Sequence, residues 1–289
     1  MKSVFILATL LSVSCLSQEQ NLPELKETSI KAYPGYELIW NEEFETDGRP
    51  NDQEWTYEYG FQRNRELQWY QEENAFCEDG KLIIEGRKEL KPNPHYKEGN
   101  GNWKEKRKYI SYTSACLTSK QSWQYGRFEI KAKIKAEQGL WPAIWFLGKE
   151  GQWPSKGEID LMEYYQGQIL ANACWGTKKQ WKAKWDSSKT PMSFFKDLQW
   201  DQKFHVWRMD WDEEKIELYV DDILLNTIEL NKAVNATEQW GLKHPFKQKH
   251  YLLLNLAIGG TNGGDPINTQ FPSRYEIDYV RVYQKKYGD

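Results

Sequence analysis

Short segments rich in β-branched and aromatic residues recur along most of the chain, with polar residues between them. Turn-forming residues at 78–80, 221–222 and 259–266 bound several of these segments, which is typical of strands. No long stretch shows helical periodicity of its apolar residues, and only residues 231–240 indicate one or two helical turns. The sequence therefore predicts an all-β fold, either an antiparallel sandwich or a barrel. The predicted strands cover residues 36–40, 81–85, 125–134, 144–147, 158–164, 215–220, 251–258 and 275–283.

The amino-terminal segment differs in character from the rest of the chain. Residues 1–17 begin with a positive charge, continue with a short apolar run and end in small residues, the pattern of an export signal. Cleavage just before Cys15, with lipidation of that cysteine, and cleavage a few residues later both remain open. We expect residues 18–34 to form a flexible tether and residues 35–285 to form one domain. The expected location is the cell surface or outer membrane as a lipoprotein, otherwise the periplasm or the medium.

Composition narrows the class of function. The formal net charge is −3, which argues against a nucleic-acid binder because such a protein needs a basic face for phosphates. The chain has 15 Trp, and an indole offers a flat apolar face with one N–H donor. This surplus favours a flat ligand with C–H faces, such as a sugar, although an aromatic-rich β core is the alternative.

Two polar segments are predicted as surface insertions. Residues 91–108 contain two Pro and two Gly and indicate a loop. Residues 177–189 carry five Lys and one Asp, interleaved with Trp181 and Trp185. This second segment is either a solvated lysine face or the wall of a sugar site, where indole rings stack on sugars and lysines meet hydroxyls or acidic substituents.

The cysteines do not suggest a metal site. With Cys15 set aside, Cys77, Cys116 and Cys174 form an odd set without a CxxC motif or a matching histidine spacing. We interpret them as isolated buried thiols, and a Cys77–Cys116 bridge is the alternative.

The segment with the strongest chemical signal is a cluster of acids. Glu158, Asp160 and Glu163 lie within six residues of an apolar strand. In a regular strand Glu163 faces away from the other two, but a one-residue bulge near 161–162 brings it back to their face. Because three acids on one face repel one another, at least one pKa must rise, as a nucleophile paired with a protonated general acid requires. A Ca²⁺ site and a solvated sheet face are the alternatives.

The acidic segment resembles the E-x-D-x-x-E signature of glycoside hydrolase family 16, the laminarinase-like β-glycanases, with Met162 as the extra residue of the bulged branch. The resemblance covers residues 36–284 and implies a β-jelly roll of two curved antiparallel sheets with a sugar-binding cleft on the concave face. The other matching segments are residues 37–44, 64–70, 112–119, 125–129, 139–145, 254–260 and 278–284.

The resemblance implies a role for each acid in a retaining mechanism. Glu158 would be the nucleophile, Glu163 the general acid/base and Asp160 the residue that orients and tunes them. No cofactor is implied for catalysis. The resemblance implies that Trp141 and Trp145 line the cleft, and core packing is the alternative role for them. We add Trp153 and Trp175 because they lie close to the acids in sequence. The predicted substrate-binding residues are Asn64, Trp141, Trp145, Trp153, Trp175 and Asn255. The resemblance also implies structural calcium ligands, which are Glu43, the Gly80 carbonyl and Asp278.

One departure from the family pattern bears on the substrate. Cys174 stands before Trp175-Gly176, where laminarinases usually carry His, and a thiol cannot replace imidazole as a donor. The predicted function is a retaining endo-β-glycanase for β-1,3- or β-1,3/1,4-linked glucan. The alternatives are an endo-β-galactanase for agar-like, porphyran-like or mucin-type glycans, a transglycosylase and a non-catalytic carbohydrate-binding protein. We expect a monomer whose partner is a polysaccharide or oligosaccharide, and which meets a membrane only through a lipid anchor.

Overall fold

The computed structural model describes residues 30–286. The export signal, Cys15 and residues 18–29 of the predicted tether lie outside the described residues. Residues 34–286 form one compact unit. Its strands, in chain order, are β1 (Tyr36–Glu42), β2 (Trp55–Tyr57), β3 (Gln68–Tyr70), β4 (Ala75–Glu78), β5 (Lys81–Pro92), β6 (Tyr109–Ser114), β7 (Cys116–Ser119), β8 (Gly126–Lys133), β9 (Leu140–Gly148), β10 (Glu158–Tyr165), β11 (Gln168–Gly176), β12 (Ala183–Pro191), β13 (His205–Trp211), β14 (Lys215–Val220), β15 (Ile223–Glu229), β16 (His250–Ile258) and β17 (Ser273–Lys285).

Within residues 30–286, helical structure is limited to single turns. They are α1 (Gly260–Gly263) and the 3-10 turns Glu72–Asn74, Met192–Phe195, Trp200–Gln202 and Pro266–Asn268.

The strands form two sheets, which confirms the predicted all-β sandwich. The seven-stranded sheet has the order β12-β11-β10-β9-β16-β7-β2. The ten-stranded sheet has the order β15-β14-β13-β8-β17-β5-β6-β3, with β1 paired to β17 and β4 paired to β5. All pairings are antiparallel except that of β3 with β6. All eight strands predicted from the sequence are present, because each is an apolar or alternating run bounded by turn residues.

Strand alternation divides the side chains of the seven-stranded sheet between two faces. On β9, Leu140, Ile144 and Phe146 enter the main hydrophobic core between the sheets. Trp141 and Trp145 point the other way and line a cavity. We call this second side of the sheet the cleft face. The fully buried Trp55 and Trp207 belong to the core.

Two local predictions are wrong. Residues 231–240 form turns and irregular backbone rather than a helix. Within this segment the buried Asn235 donates to the carbonyls of Ser155 and Leu242 and accepts from the Gly176 N–H, so its side chain supplies contacts that compete with helical backbone bonds. Residues 177–189 are not simply a loop, because from Ala183 onward they form β12, the edge strand paired with β11.

The three described cysteines are buried and free. This confirms the interpretation as isolated thiols, and the alternative Cys77–Cys116 bridge is wrong. Among residues 30–286, no helix has the length and apolar character that crossing a membrane requires.

Candidate active site

A bulge in β10 brings the three acids to the cleft face. Between Asp160 and Glu163, β10 advances three residues while its partner β11 moves back two. The intervening Leu161 and Met162 are both buried in the core between the sheets. Two consecutive side chains can enter the same core only if one residue is extra in the strand. Glu163 therefore returns to the face that carries Glu158 and Asp160, as predicted.

Two indole groups hold the glutamates. Trp141, on β9, donates its Nε1–H to Glu163 Oε1 at 2.8 Å. Trp153, in the turn between β9 and β10, donates its Nε1–H to Glu158 Oε2 at 2.7 Å. Both bonds favour the ionised carboxylate. Each glutamate therefore has its own donor, supplied by a residue predicted from the sequence to bind sugar.

The surroundings of Glu158 contain cations. Burial raises the pKa of Glu158 to about 7, against the opposing effects of the Trp153 N–H and of the positive charges on Arg63 and Lys156. Arg63 is itself paired with Glu58. Glu158 is thus the glutamate for which the charged form is supported by neighbouring cations.

The surroundings of Glu163 contain anions instead. Burial, together with the charges of Glu158 and Glu66, raises the pKa of Glu163 to about 7, against the lowering effect of the Trp141 N–H. Between the two glutamates, Asp160 is 2% exposed, and burial together with both glutamate charges raises its pKa well above its usual range. Three such acids do not all ionise together, and the neighbouring carboxylates favour the protonated form of Glu163.

The acids open onto a cavity of about 650 Å³. All three predicted catalytic residues line it, together with five of the six predicted sugar-binding residues. Those five are Asn64, Trp141, Trp145, Trp153 and Asn255.

Part of the cavity wall is a fixed polar network. Trp145 donates its Nε1–H to Asn255 Oδ1 at 2.7 Å, and Asn255 Nδ2 donates to the Tyr70 hydroxyl at 3.0 Å. The guanidinium of Arg63 lies 5.0 Å from the centre of a Trp145 ring, a cation–π distance. The indole of Trp145 is therefore held from its edge and from one face, which orients it as a rigid wall for a sugar ring.

The prediction for Trp175 is wrong. Its indole is 3% exposed, belongs to the core between the sheets and packs edge-on against Phe246. On β11, Asn172 and Cys174 share the cleft face because they pair directly with Asp160 and Glu158 of β10. The next residue must point the other way. Trp181, considered with the lysine-rich segment, is exposed and does not line the cavity.

The sequence reasoning missed several cavity residues. Glu66 is 3% exposed and accepts hydrogen bonds from Asn64 Nδ2 at 3.2 Å and Gln68 Nε2 at 2.7 Å. Glu66 lines the cavity and is its fourth acid, and burial raises its pKa. It lies in a segment that carries the family resemblance, but nothing in an irregular loop shows which side chain is buried. Asn172 and Tyr165 also line the cavity, and Asn172 Nδ2 is 3.4 Å from both Asp160 and Glu163.

The residues predicted to bind calcium do not fit such an ion. Both carboxylate oxygens of Glu43 are bound by the Arg281 guanidinium at 2.9 Å, and Asp278 pairs with Lys131 at 2.8 Å. Gly80 lies in the turn between β4 and β5. Within residues 30–286, no three acid, histidine or cysteine side chains form a group that could hold a metal ion. Cations of the chain therefore occupy carboxylate oxygens of Glu43 and Asp278 that a calcium ion would need.

The arrangement can perform acid/base and nucleophilic chemistry at a sugar. Two carboxyl groups lie on one face beside aromatic walls, and a third acid lies between them. One glutamate is supported as the anion and the other as the acid. This division is the one that retaining glycoside hydrolysis uses.

Comparisons with known proteins agree with this geometry. The family model described as glycosyl hydrolases family 16 matches residues 62–281. A "Beta-glucanase" of Rhodothermus marinus is 34% identical over 98% of this chain and 94% of its own length. The solved catalytic domain of an endo-1,3-beta-glucanase (laminarinase) from Thermotoga petrophila RKU-1 is 32% identical with a TM-score of 0.70, over 87% of this chain and 99% of that chain.

A further solved structure fits with a TM-score of 0.78 at 32% identity, over 87% of this chain and 92% of that chain. It is described with the endo-acting O-glycanases that members of the human gut microbiota express to initiate mucin breakdown. The family model covers more than half of the chain, including the bulged acidic strand, and the two-sheet fold is that of the matched structures. The chain therefore belongs to glycosyl hydrolases family 16.

Proposed function

We propose that the chain is a retaining, endo-acting glycoside hydrolase that cleaves β-1,3- or β-1,3/1,4-linked glucan. Membership of the family makes it a glycoside hydrolase, and matched relatives are named as a beta-glucanase and an endo-1,3-beta-glucanase. The observation that carries the assignment of roles is the contrast between the two glutamates. Cations lower the pKa of Glu158, whereas other carboxylates raise the pKa of Glu163.

The reaction has two displacements at the anomeric carbon. In the first, a Glu158 oxygen forms a bond to that carbon, the glycosidic C–O bond breaks, and the leaving oxygen takes the proton of Glu163. In the second, Glu163, now ionised, takes a proton from water, and the water oxygen displaces the Glu158 ester. Each step inverts the anomeric carbon, so the product retains its configuration. The mechanism needs the two carboxyl groups about 5–5.5 Å apart.

Asp160 supports this cycle from its position between the glutamates. Burial and the two glutamate charges raise the pKa of Asp160 well above its usual range and so favour its protonated form. In that form it can donate a hydrogen bond to an adjacent carboxylate while adding no charge. The Trp153 N–H remains available to Glu158 when water displaces the glycosyl ester and the carboxylate is restored. The arrangement thus stabilises the ionised state of Glu158 before and after each turnover.

A galactose-containing glycan is the second candidate substrate. The structure described with mucin O-glycanases has a TM-score of 0.78, against 0.70 for the laminarinase domain. Cys174 lies directly opposite Glu158 in the strand register and is fully buried. The cleft face also continues beyond β11 onto β12. These features favour a glycan whose shape differs from that of plain β-1,3-glucan.

The test is a substrate panel with an active-site variant. Laminarin, lichenan, an agar-type galactan and mucin O-glycans are incubated with the wild-type protein, and the products are sized. Oligomers from internal cleavage of the first two support the main proposal, whereas cleavage of only the last two replaces it with the second candidate. On whichever polymer is cut, Glu158→Gln should lose about 10³-fold or more in kcat, while Glu213→Gln in an exposed turn should match wild type. Wild-type activity of Glu158→Gln contradicts the mechanism.

We also propose that the protein is exported, as its amino-terminal sequence pattern indicates, and that it is a monomer. In a bacterial host the full chain should fractionate with membranes, and Cys15→Ala should release it. If the wild-type chain stays in the soluble fraction and its amino terminus carries no lipid, the proposed lipid anchor is wrong.

A further inference from the structure

The strand β12 extends the cleft face beyond the catalytic strand. The register places three rows of side chains across β10, β11 and β12. Since neighbouring strands lie about 4.8 Å apart, β12 is about 10 Å from β10, a distance that a side chain and a sugar ring can bridge. The rows are Glu158–Cys174–Trp185, Asp160–Asn172–Ser187 and Glu163–Leu170–Lys189.

Trp185 and Lys189 are exposed on this wall. Trp185 is 45% exposed, and both residues line the same cavity as the catalytic acids. Asp186 lies on the opposite side of the strand, where it accepts a hydrogen bond from Asn226 of β15. The wall therefore offers an aromatic surface at one end and an ammonium group at the other.

The ammonium group of Lys189 is without a partner in the described part of the chain. It forms neither an ion pair nor a hydrogen bond there, although several acids line the same cavity. On the opposite face of β12, Lys184 lies 5.3 Å from the centre of a Trp175 ring and is held by a cation–π contact. Of the two lysines on β12, Lys189 is thus the one that has no partner among the described residues and that lines the cavity.

The charge around this wall is strongly positive. Residues 177–189 contain five Lys and one Asp, and that Asp lies on the side away from the cleft. A lysine has three donors and no acceptor, and a cluster of like charges raises the local concentration of oppositely charged ligands. An anion is therefore the complementary ligand for this wall. The acids at the centre of the cavity would repel an anionic group, whereas the lysines at its edge on β12 attract one.

We propose that Trp185 and Lys189 form a subsite for a sugar that carries an anionic substituent, a sulfate ester or a carboxylate. This inference rests on the proposed glycanase function and specifies its substrate class. The sugar ring lies against Trp185, and the substituent accepts hydrogen bonds from Lys189. The inference thus adds an acidic or sulfated substituent to either candidate backbone, on a sugar unit that is bound at the wall beside the catalytic strand.

Binding to an inactive protein tests this independently of catalysis. In a Glu158→Gln background, dissociation constants are measured by calorimetry for neutral, sulfated and carboxymethylated oligosaccharides of two backbones, β-1,3-glucan and N-acetyllactosamine repeats. We expect at least one anionic form to bind about 5-fold or more tightly than its neutral counterpart. The preference should fall toward 1 when NaCl rises from about 0.05 M to about 0.5 M, because exposed charges are screened.

Two lysine variants separate the subsite from general charge. Lys189→Met should abolish the anionic preference on both backbones, while Lys184→Met, which removes the same charge from the other face of β12, should retain it. A preference confined to sulfated or to carboxymethylated ligands identifies the source of the anion. Equal affinity for neutral and anionic forms, no binding of any form, or equal effects of the two variants overturns the inference. Failure of hydrolysis in the wild-type protein would instead contradict the proposed function.

Discussion

The two indole donors provide a direct test of which glutamate has which role. Trp141→Phe removes the N–H that Glu163 accepts, and Trp153→Phe removes the N–H that Glu158 accepts. Phenylalanine retains a ring against the sugar in each case. The two variants therefore change the same kind of contact at two different carboxyl groups.

The size of the effect follows from the strength of the lost bond. A hydrogen bond to a charged group contributes about 1.5–3 kcal/mol and one to a neutral group about 0.5–1.5 kcal/mol. Removing the donor therefore disfavours the carboxylate over the acid by roughly 1–1.5 kcal/mol. At 1.36 kcal/mol for each unit, the pKa of the affected glutamate rises by about 1.

The direction of each change in the pH profile differs between the variants. Activity is lost as pH falls through the pKa of the nucleophile and as pH rises through the pKa of the acid. Trp141→Phe should move the alkaline limb of kcat/KM upward by about 1. Trp153→Phe should move the acid limb upward. When a pKa of about 7 rises by about 1, the ionised fraction of Glu158 at pH 7 falls about 5-fold, and activity at that pH should fall by the same factor.

The assay is the pH dependence of kcat/KM on one soluble oligosaccharide, since this ratio reports the free enzyme. A lower plateau in either variant reflects weaker sugar binding and does not bear on the roles. If Trp141→Phe moves the acid limb, or if both limbs stay in place in both variants, the assignment of Glu158 and Glu163 is refuted.

Three further changes test other parts of the account. Glu66→Gln should move the alkaline limb to lower pH, because the charge that raises the pKa of Glu163 is removed; an unchanged limb contradicts this coupling. Trp175→Ala should lower the free energy of unfolding by about 3–5 kcal/mol in urea titration, and a fully stable variant with weakened sugar binding would restore its predicted cleft role. Arg281→Met should destabilise by about 3–5 kcal/mol because Glu43 is left unpaired, whereas EDTA should leave the wild-type melting temperature unchanged; a large fall with EDTA contradicts the ion-pair description.

Much of the architecture was predictable because its signals are local. The eight predicted strands are apolar or alternating runs with turn residues at their ends, and each is observed. The bulge was predictable too, since Leu161 and Met162 separate acids that must share a face. The sequence pattern could not show which strands pair with each other. β12 contains lysines, serines and a proline, and it is a strand because β11 offers it a continuous ladder of nine pairs.

The errors in the site have the same origin. Proximity to the acids in sequence suggested that Trp175 binds sugar, but the face of a strand residue depends on register. Asn172 and Cys174 alternate with Ala173 and Trp175, and this alternation was a usable signal once Asn172 was placed beside Asp160. Glu66 was harder, because an irregular loop has no period from which burial follows. The fit of the predicted calcium ligands could not be judged from a local pattern either, because an arginine and a lysine far away in sequence reach Glu43 and Asp278.

The central claim is that the bulged strand supports double displacement through Glu158 and Glu163. Its most direct test is proton NMR of the reducing end formed in the first minutes of hydrolysis, before mutarotation equilibrates the anomers. The account predicts that the β-linked substrate first releases the β-anomer, which then decays toward equilibrium. Initial release of the α-anomer indicates a single displacement by water and contradicts the account.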